Sequence, residues 1–340
     1  GAGAGLRLGV DVGGTFTDLL LLDEKASRTF TAKVPSTPAD SSIGVLNGIE
    51  KICRGAGIDP TDIREVMHGT TVATNTVLSS SGALVGLVTS QGYRDVLQIA
   101  RSYVPGGLGG WVIWNKTAPL APLELTIEAN ERIDAKGNVL DPLDEKKVRD
   151  DLKRLLGKGV EALTIALFNS YVNDADERRI AEIARELAPN IPVSTSASVM
   201  PEMYEYERTE TTVVNSYVRP VVSTYVSNLQ TELRARMGEH VMLQILRSDG
   251  GLSSAQPAMD QPVNLLMSGP AGGVSGALWI AKQAGFANLL TFDMGGTSTD
   301  VALIEKGVAR TRRETRVADV TVRAPSLDVR PVGTGGGSIA

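Results

Sequence analysis

The sequence predicts an α/β protein of two lobes with a further α/β segment inserted between them. Three observations carry that reading. Strand-like and helix-like stretches alternate along most of the 340 residues. The octet DVGGTFTD at 11–18 returns as DMGGTSTD at 293–300, agreeing at six of eight positions. Each copy follows one apolar run and precedes another, so each sits at the tip of a strand pair.

Taken in order, residues 6–34 read as three short strands, LRLGVDV, the run from Phe16 to Leu22, and RTFTAKV. The short gap between the first two makes them an antiparallel hairpin. SSIGVLNGIEKICRGAG, after Asp40, has helical spacing and a glycine exit. EVMHGTT, a small-residue helix through Val77 and the strand ALVGLVTS follow. The Gly-, Trp- and Pro-rich stretch from Pro105 to Pro122 interrupts the rhythm as an inserted loop. Next come the helix LDEKKVRDDLKRLLGKG, the buried strand EALTIALFNS, the helix DADERRIAEIARELAP and the strand IPVSTSAS. Residues 202–237 read as a long amphipathic helical region broken at Pro220. From Asn288 a strand, a hairpin and a strand begin again.

Composition excludes several classes. Hydrophobic residues are 42% and charged residues 21%, and the net charge is −5 with both signs mixed. That supports a core and offers no basic surface for nucleic acid or an anionic membrane. No apolar run approaches the roughly 20 residues of a membrane helix. The single cysteine, Cys53, forms no internal disulfide and fits a reducing compartment. With no signal-peptide pattern at the start, the expectation is a cytoplasmic protein.

The repeated octet carries the chemistry. Gly-Gly at a strand tip allows positive φ and lets backbone N–H groups approach an anion without a Cβ in the way. Gly13, Gly14, Gly295 and Gly296 supply that backbone, and hydroxyls of Thr15, Thr17, Thr297 and Thr299 add donors. Asp11 and Asp293, at the strand ends, suit a hydrated divalent cation beside phosphate charge. One copy alone reads equally well as an ordinary glycine turn. Two copies in equivalent strand contexts point to a clamp on a polyphosphate.

This arrangement resembles the actin-like ATPase superfamily, whose two RNase H-like lobes each open with a phosphate-touching hairpin. The resemblance implies ATP and Mg²⁺ as cofactors. It makes Ser268–Gly285 the connecting helix and the terminal PVGTGGGSIA the start of an adenosine-contacting loop through Gly333, Gly335, Gly336 and Gly337; apart from the resemblance those glycines also fit a flexible tail. Within the superfamily, MHGTTVATNTVL (67–78), YERTETTVVNSYVRP (206–220), RSDGGL (247–252) and MSGPAGGV (267–274), with VDVGGTFTD and FDMGGTSTD, are similar to the hydantoinase A / 5-oxoprolinase family. That family implies an ATP-dependent cyclic-amide hydrolase or an acetone- or acetophenone-type carboxylase acting on a small amide or carbonyl substrate. It also implies a second catalytic subunit of the hydantoinase B type. A non-metabolic ATPase of the actin or chaperone kind is the alternative of another class. The resemblance divides the chain into a first lobe at 1–100, an inserted region with long helices at 101–265, and the connecting helix with the start of a second lobe at 266–340. Family chains continue for a comparable length beyond the GTGGGS stretch, which implies either a fragment or a nucleotide fold completed by another polypeptide.

Single residues follow. His68, in HGTT, is read as catalytic slightly ahead of structural, and His240 as structural. Two distant histidines and one cysteine leave no His/Cys metal spacing, so any metal is expected to be Mg²⁺ on oxygen ligands at Asp11 and Asp293. Glu205, Glu207, Arg208 and Glu210 form either a solvated helix face or, through Arg208, an anchor for a loop. Asp249 reads as a turn residue. Trp111 and Trp114 mark either a partner contact or a local mini-core.

Overall fold

Strands β1 (Leu6–Val12) and β2 (Phe16–Asp23) pair antiparallel, with Asp11 opposite Asp18 and Val12 opposite Thr17. Their alternation dictates the geometry: Thr17, Leu19 and Leu21 are buried while Phe16, Asp18 and Leu20 face outward. β3 (Arg28–Pro35) adds antiparallel to β2. Helix α1 (Ser41–Ala56) starts where the Asp40 carboxylate accepts the Ser42 N–H and stops at Gly57, whose φ of 65° only glycine adopts freely. Its buried Val45, Leu46, Ile49 and Ile52 lie on the face it turns to these strands. β4 (Ile63–Gly69) then runs parallel beside β1, with Val10 opposite His68 and Asp11 opposite Gly69. The small-residue helix α2 (Val72–Leu78) follows. The computed structural model describes residues 5–13, 15–101, 116–294 and 299–332.

The middle of the chain alternates as expected. β5 (Val85–Ser90), β6 (Thr126–Ala129), α3 (Glu145–Leu156), β7 (Ala162–Ala166), α4 (Ala175–Leu187) and β8 (Val193–Thr195) give a parallel sheet of order β8-β7-β5-β6. β5 and β7 are buried along their whole length, the mark of strands covered on both faces. Val148, Leu152 and Leu155 of α3 and Ile180, Ala181 and Ile183 of α4 share one core with Leu163 and Ile165.

Helix α5 (Glu205–Met237) is continuous, which corrects the expected break at Pro220. Proline removes one backbone hydrogen bond and costs about 3 kcal/mol inside a helix. Buried Val213, Val214, Tyr217 and Val218 before it, and Val222, Val226, Leu229 and Leu233 after it, outweigh that cost. β9 (Met242–Leu246) and β10 (Leu252–Ser254) complete a six-stranded sheet of order β10-β9-β4-β1-β2-β3. After helix α6 (Ser268–Gln283), β11 (Leu289–Met294) and β12 (Thr299–Glu305) repeat the antiparallel hairpin, with β13 (Val308–Ala309) and β14 (Val329–Val332) also on β12. Val274, Ala302 and Ile304 form the small core under this sheet.

The chain divides into two compact units. One comprises Gly1–Asn75, Val222–Val317 and Pro325–Ala340; the other comprises Thr76–Val221 and Ala318–Ala324. Both octet hairpins belong to the first unit. Among the described residues no helix is long and apolar enough to cross a membrane.

Candidate phosphate and metal site

The two hairpins carry the same residues in the same register. Asp11 pairs with Asp18 and Val12 with Thr17 in the first; Asp293 pairs with Asp300 and Met294 with Thr299 in the second. Each hairpin therefore places two carboxylates side by side on one face near its tip. The hairpins also meet. Burial, then the neighbouring charges of Asp18 and Asp293, push the Asp11 carboxyl above the usual carboxylate range. Burial and Asp293 do the same to Asp300. Lys33 pairs with Asp18 at 3.3 Å, which leaves Asp11, Asp293 and Asp300 as the acids whose negative charge could attract a cation.

The first turn is braced internally. The Gly13 N–H donates to the Phe16 carbonyl at 2.9 Å, and the Ser36 N–H donates to the Thr15 carbonyl at 2.9 Å. The Ser36 hydroxyl donates to the Gly13 carbonyl at 2.7 Å and lies 3.0 Å from the Thr17 hydroxyl. Ser36 has then spent its proton, so Thr17 donates to Ser36. Thr17 is fully buried, and Thr299 at the matching position is 1% exposed. This corrects the expectation that both hydroxyls reach a ligand: both are turned inward, and Thr17 braces the first tip through Ser36. Thr15 is exposed.

Space beside the carboxylates comes from glycines that sequence reasoning passed over. A Cβ on Gly69, at the end of β4, would stand 3.6 Å from Asp11 Oδ1, and one on Gly273, in α6, would stand 3.4 Å from Asp293 Oδ2. Asp18, Asp300 and these glycines lay within quoted motifs, and the hairpin register was the signal that would have found the acids. A cavity of about 350 Å³ between α6 and β11 reaches Asp293 and Asp300 and is lined by Pro270, Gly273, Ala277 and Thr291.

His68 is not at this surface. Its ring is fully buried, Nδ1 lies 3.4 Å from the Val10 carbonyl, and Nε2 lies 2.7 Å from the Tyr225 hydroxyl. Burial lowers its pKa to about 4, so the ring is neutral near pH 7. His240 bonds the Ile63 carbonyl at 3.2 Å, as a structural residue would. Asp249 accepts the Gly251 N–H at 3.0 Å and closes a turn. In the other unit, Arg208 is fully buried and donates to the Leu167 and Glu202 carbonyls and to Ser196, with Glu205 as its ion pair. It anchors loops, and the solvated-face reading is corrected. Gly14, Gly295, Gly296, Thr297, Gly333, Gly335, Gly336 and Gly337, with Trp111 and Trp114, lie outside the described residues.

The donor set fits Mg²⁺ and not a softer ion. Among the described residues no group of three or more His, Cys, Asp or Glu side chains is placed to hold a metal by itself. Mg²⁺ typically takes one or two carboxylates and completes its shell with water and phosphate oxygens. Asp11 and Asp293, with open space at Gly69 and Gly273, offer that partial set.

Comparison with known proteins agrees with the geometry. The model of the hydantoinase/oxoprolinase N-terminal region matches residues 7–188, and the hydantoinase/oxoprolinase model matches residues 208–340. The acetophenone carboxylase gamma subunit of Aromatoleum aromaticum is 34% identical, over 97% of this chain and 47% of its own length. The caprolactamase alpha subunit of Pseudomonas jessenii is 32% identical, over 98% of this chain and 48% of its own. The crystal structure of the ATP-dependent caprolactamase from that organism superposes with a TM-score of 0.86 at 32% identity, covering 98% of this chain and 49% of that one. A nucleotide-free acetone carboxylase structure superposes at 0.85 with 27% identity, covering 97% and 48%. The chain thus spans about half the length of the relatives it matches, and its fold is of the actin-like ATPase type.

Proposed function

The chain belongs to the hydantoinase/oxoprolinase family, and on that premise we propose that it is the ATP-binding, phosphoryl-transferring part of an enzyme that activates a carbonyl oxygen. The observation that carries the reading is the pair of equivalent hairpins in one unit, with the charge of Asp293 close enough to help raise the Asp11 carboxyl. The substrate class is a cyclic amide, in line with the caprolactamase relative, or a ketone enolate, in line with the carboxylase relatives.

Amides and enolates react poorly with water or bicarbonate at neutral pH. ATP supplies the remedy: the carbonyl oxygen bonds to the γ-phosphorus, the Pγ–O bond to ADP breaks, and the product carries phosphate as a leaving group. Phosphoryl transfer needs positioning and charge neutralisation more than covalent help. In this chain Asp11 and Asp293 would hold Mg²⁺, the exposed Thr15 at the first tip would face phosphate oxygens while the Gly13 N–H stays on the Phe16 carbonyl, and Gly69 and Gly273 keep the approach open. Thr17 and Ser36 hold the first tip rigid. A second subunit of the hydantoinase B type supplies the rest of the substrate chemistry, and the assembly works in the cytoplasm.

The test is phosphate release from Mg·ATP by the protein with its partner subunit, with lactams, hydantoins, or ketones plus bicarbonate added in turn. Stimulation by a lactam or hydantoin alone supports the hydrolase reading, and stimulation that needs ketone and bicarbonate together supports the carboxylase reading. ATP turnover indifferent to every carbonyl compound would instead favour a conformational ATPase and overturn the proposal.

A further inference from the structure

We propose that Tyr225 and His68 are positioning residues for Asp11, forming a relay from helix α5 through β4 to the peptide that carries the metal-binding carboxylate. The inference rests on the assignment of Asp11 to the Mg²⁺–phosphate site. A carbonyl only accepts, so the contact of His68 Nδ1 with the Val10 carbonyl at 3.4 Å requires a proton on Nδ1. In a neutral ring Nε2 is then an acceptor, and the Tyr225 hydroxyl, 2.7 Å away, donates to it. The Val10 carbonyl demands the Nδ1–H tautomer, and the Tyr225 hydroxyl, donating to Nε2, stabilises it, so the ring can hold the Val10–Asp11 peptide plane. That plane orients the Asp11 carboxylate beside Gly69, its neighbour in the parallel register.

The relay branches toward the second carboxylate. The Tyr225 hydroxyl also bonds the side chain of Thr70. The Thr70 carbonyl accepts from Ser268 Oγ at 3.3 Å, and Thr74 Oγ1 accepts the Met267 N–H at 2.9 Å. These bonds pin the start of α6, the helix that carries Gly273 beside Asp293. One tyrosine hydroxyl thereby sits at the node between both halves of the clamp. Partners that orient a metal ligand typically contribute roughly 10–100-fold to metal affinity without touching the metal.

Tyr225→Phe removes only the hydroxyl and is the decisive variant. Binding of ATP is measured by calorimetry with and without Mg²⁺, alongside the melting temperature and the ¹⁵N shifts of the imidazoles, which are simple to assign because the chain has two histidines. Tyr225→Phe should lower the Mg²⁺-dependent gain in ATP affinity about tenfold, at the low end of that range, leave Mg²⁺-free binding nearly unchanged, and lower melting by a few degrees, the shift expected of a buried Nε2 left without a partner. His68→Asn, whose amide can still donate to Val10, should retain more of the gain than His68→Leu. The wild-type ring should show the Nδ1–H tautomer. An Nε2–H tautomer refutes the relay whatever the ligand data show, as does an unchanged Mg²⁺-dependent gain in Tyr225→Phe. Asp11→Asn, run in parallel, separates the two failures: if it too leaves the gain intact, the Mg²⁺ assignment of Asp11 has failed and the relay with it.

Discussion

Of the four glycines in helix α6, three have surroundings that predict three different outcomes for the same substitution. Replacing a helix-interior glycine by alanine ordinarily stabilises by roughly 0.5–1 kcal/mol, because alanine has less backbone freedom to lose. At Gly276 the added Cβ meets nothing within 4 Å, so Gly276→Ala should raise the melting temperature by about 1–3 °C and leave ligand binding alone. At Gly272 the Cβ would stand 2.7 Å from Leu246 Cδ2, inside contact distance, so Gly272→Ala should destabilise by about 1–3 kcal/mol unless Leu246 turns away. At Gly273 the Cβ would stand 3.4 Å from Asp293 Oδ2, which the fold tolerates but which places a methyl group where phosphate and Mg²⁺ are proposed to meet. Gly273→Ala should therefore stabilise the protein like Gly276→Ala and yet weaken Mg·ATP at least tenfold, about 1.4 kcal/mol. Thermal melting and calorimetric titration of Mg·ATP read the two effects separately. Stabilisation of Gly273→Ala with undiminished Mg·ATP affinity would refute the placement of the ligand between α6 and the second hairpin.

Asp11→Asn and Asp293→Asn should each cut Mg²⁺-dependent ATP turnover by about 10²–10³, as loss of one well-placed charge-stabilising group does elsewhere, with melting unchanged or raised because a crowded carboxylate is removed; full turnover in both variants would dismiss the clamp. In the other unit, Glu131 is 3% exposed, bonded to Ser90 and Asp176, and burial raises its pKa from 4.5 to about 7. A raised carboxyl favours the fold when protonated, so this contribution, on the order of 3 kcal/mol, is full below pH 4.5 and is lost as pH rises through 7. Urea melts between pH 5 and 8 should show that decline, Glu131→Gln should flatten it, and an equal slope in the variant would dismiss Glu131 as its source. Leu290, Phe292 and Leu303 share the outer face of the second hairpin's sheet and are 56%, 65% and 41% exposed. Exposure on this scale should make the isolated chain self-associate in light scattering, and Phe292→Ser should weaken that association at least tenfold, Phe burial being worth roughly 1.5–3 kcal/mol.

The sequence made the hairpins legible because their signals are local. A strand, a glycine tip and a second strand follow one another without interruption from Leu6 to Asp23, and the repeat near the C-terminus tests the reading a second time. Helix starts were legible for the same reason: Asp40 and Asp144 accept N–H groups two and three residues on. The hydroxyls of Thr17 and Thr299 were misjudged because a motif lists donors without saying which are already engaged. Only Ser36, distant in sequence, settles the matter for Thr17. Pro220 misled because the penalty of a proline is local while the burial that offsets it is tertiary. For Arg208 the sequence left a solvated face and a loop anchor both open, because the acceptors that decide it come from residues 167, 196 and 202.

His68 shows how far a motif carries and where it stops. HGTT lies beside the proposed site, since Gly69 flanks Asp11 and Thr70 ties the strand to helix α6. The histidine itself points away from it, toward a tyrosine 157 residues distant. A buried neutral imidazole with a carbonyl on one nitrogen and a hydroxyl on the other has no spare valence for proton transfer at neutral pH. What it can do is hold a strand end still. The charge of Asp293 disfavours ionisation of both Asp11 and Asp300, and carboxylates left to relax would swing apart. Rigid turns, pinned helix starts and the ring of His68 keep them converged, so that the energy of binding is not spent on gathering the ligands.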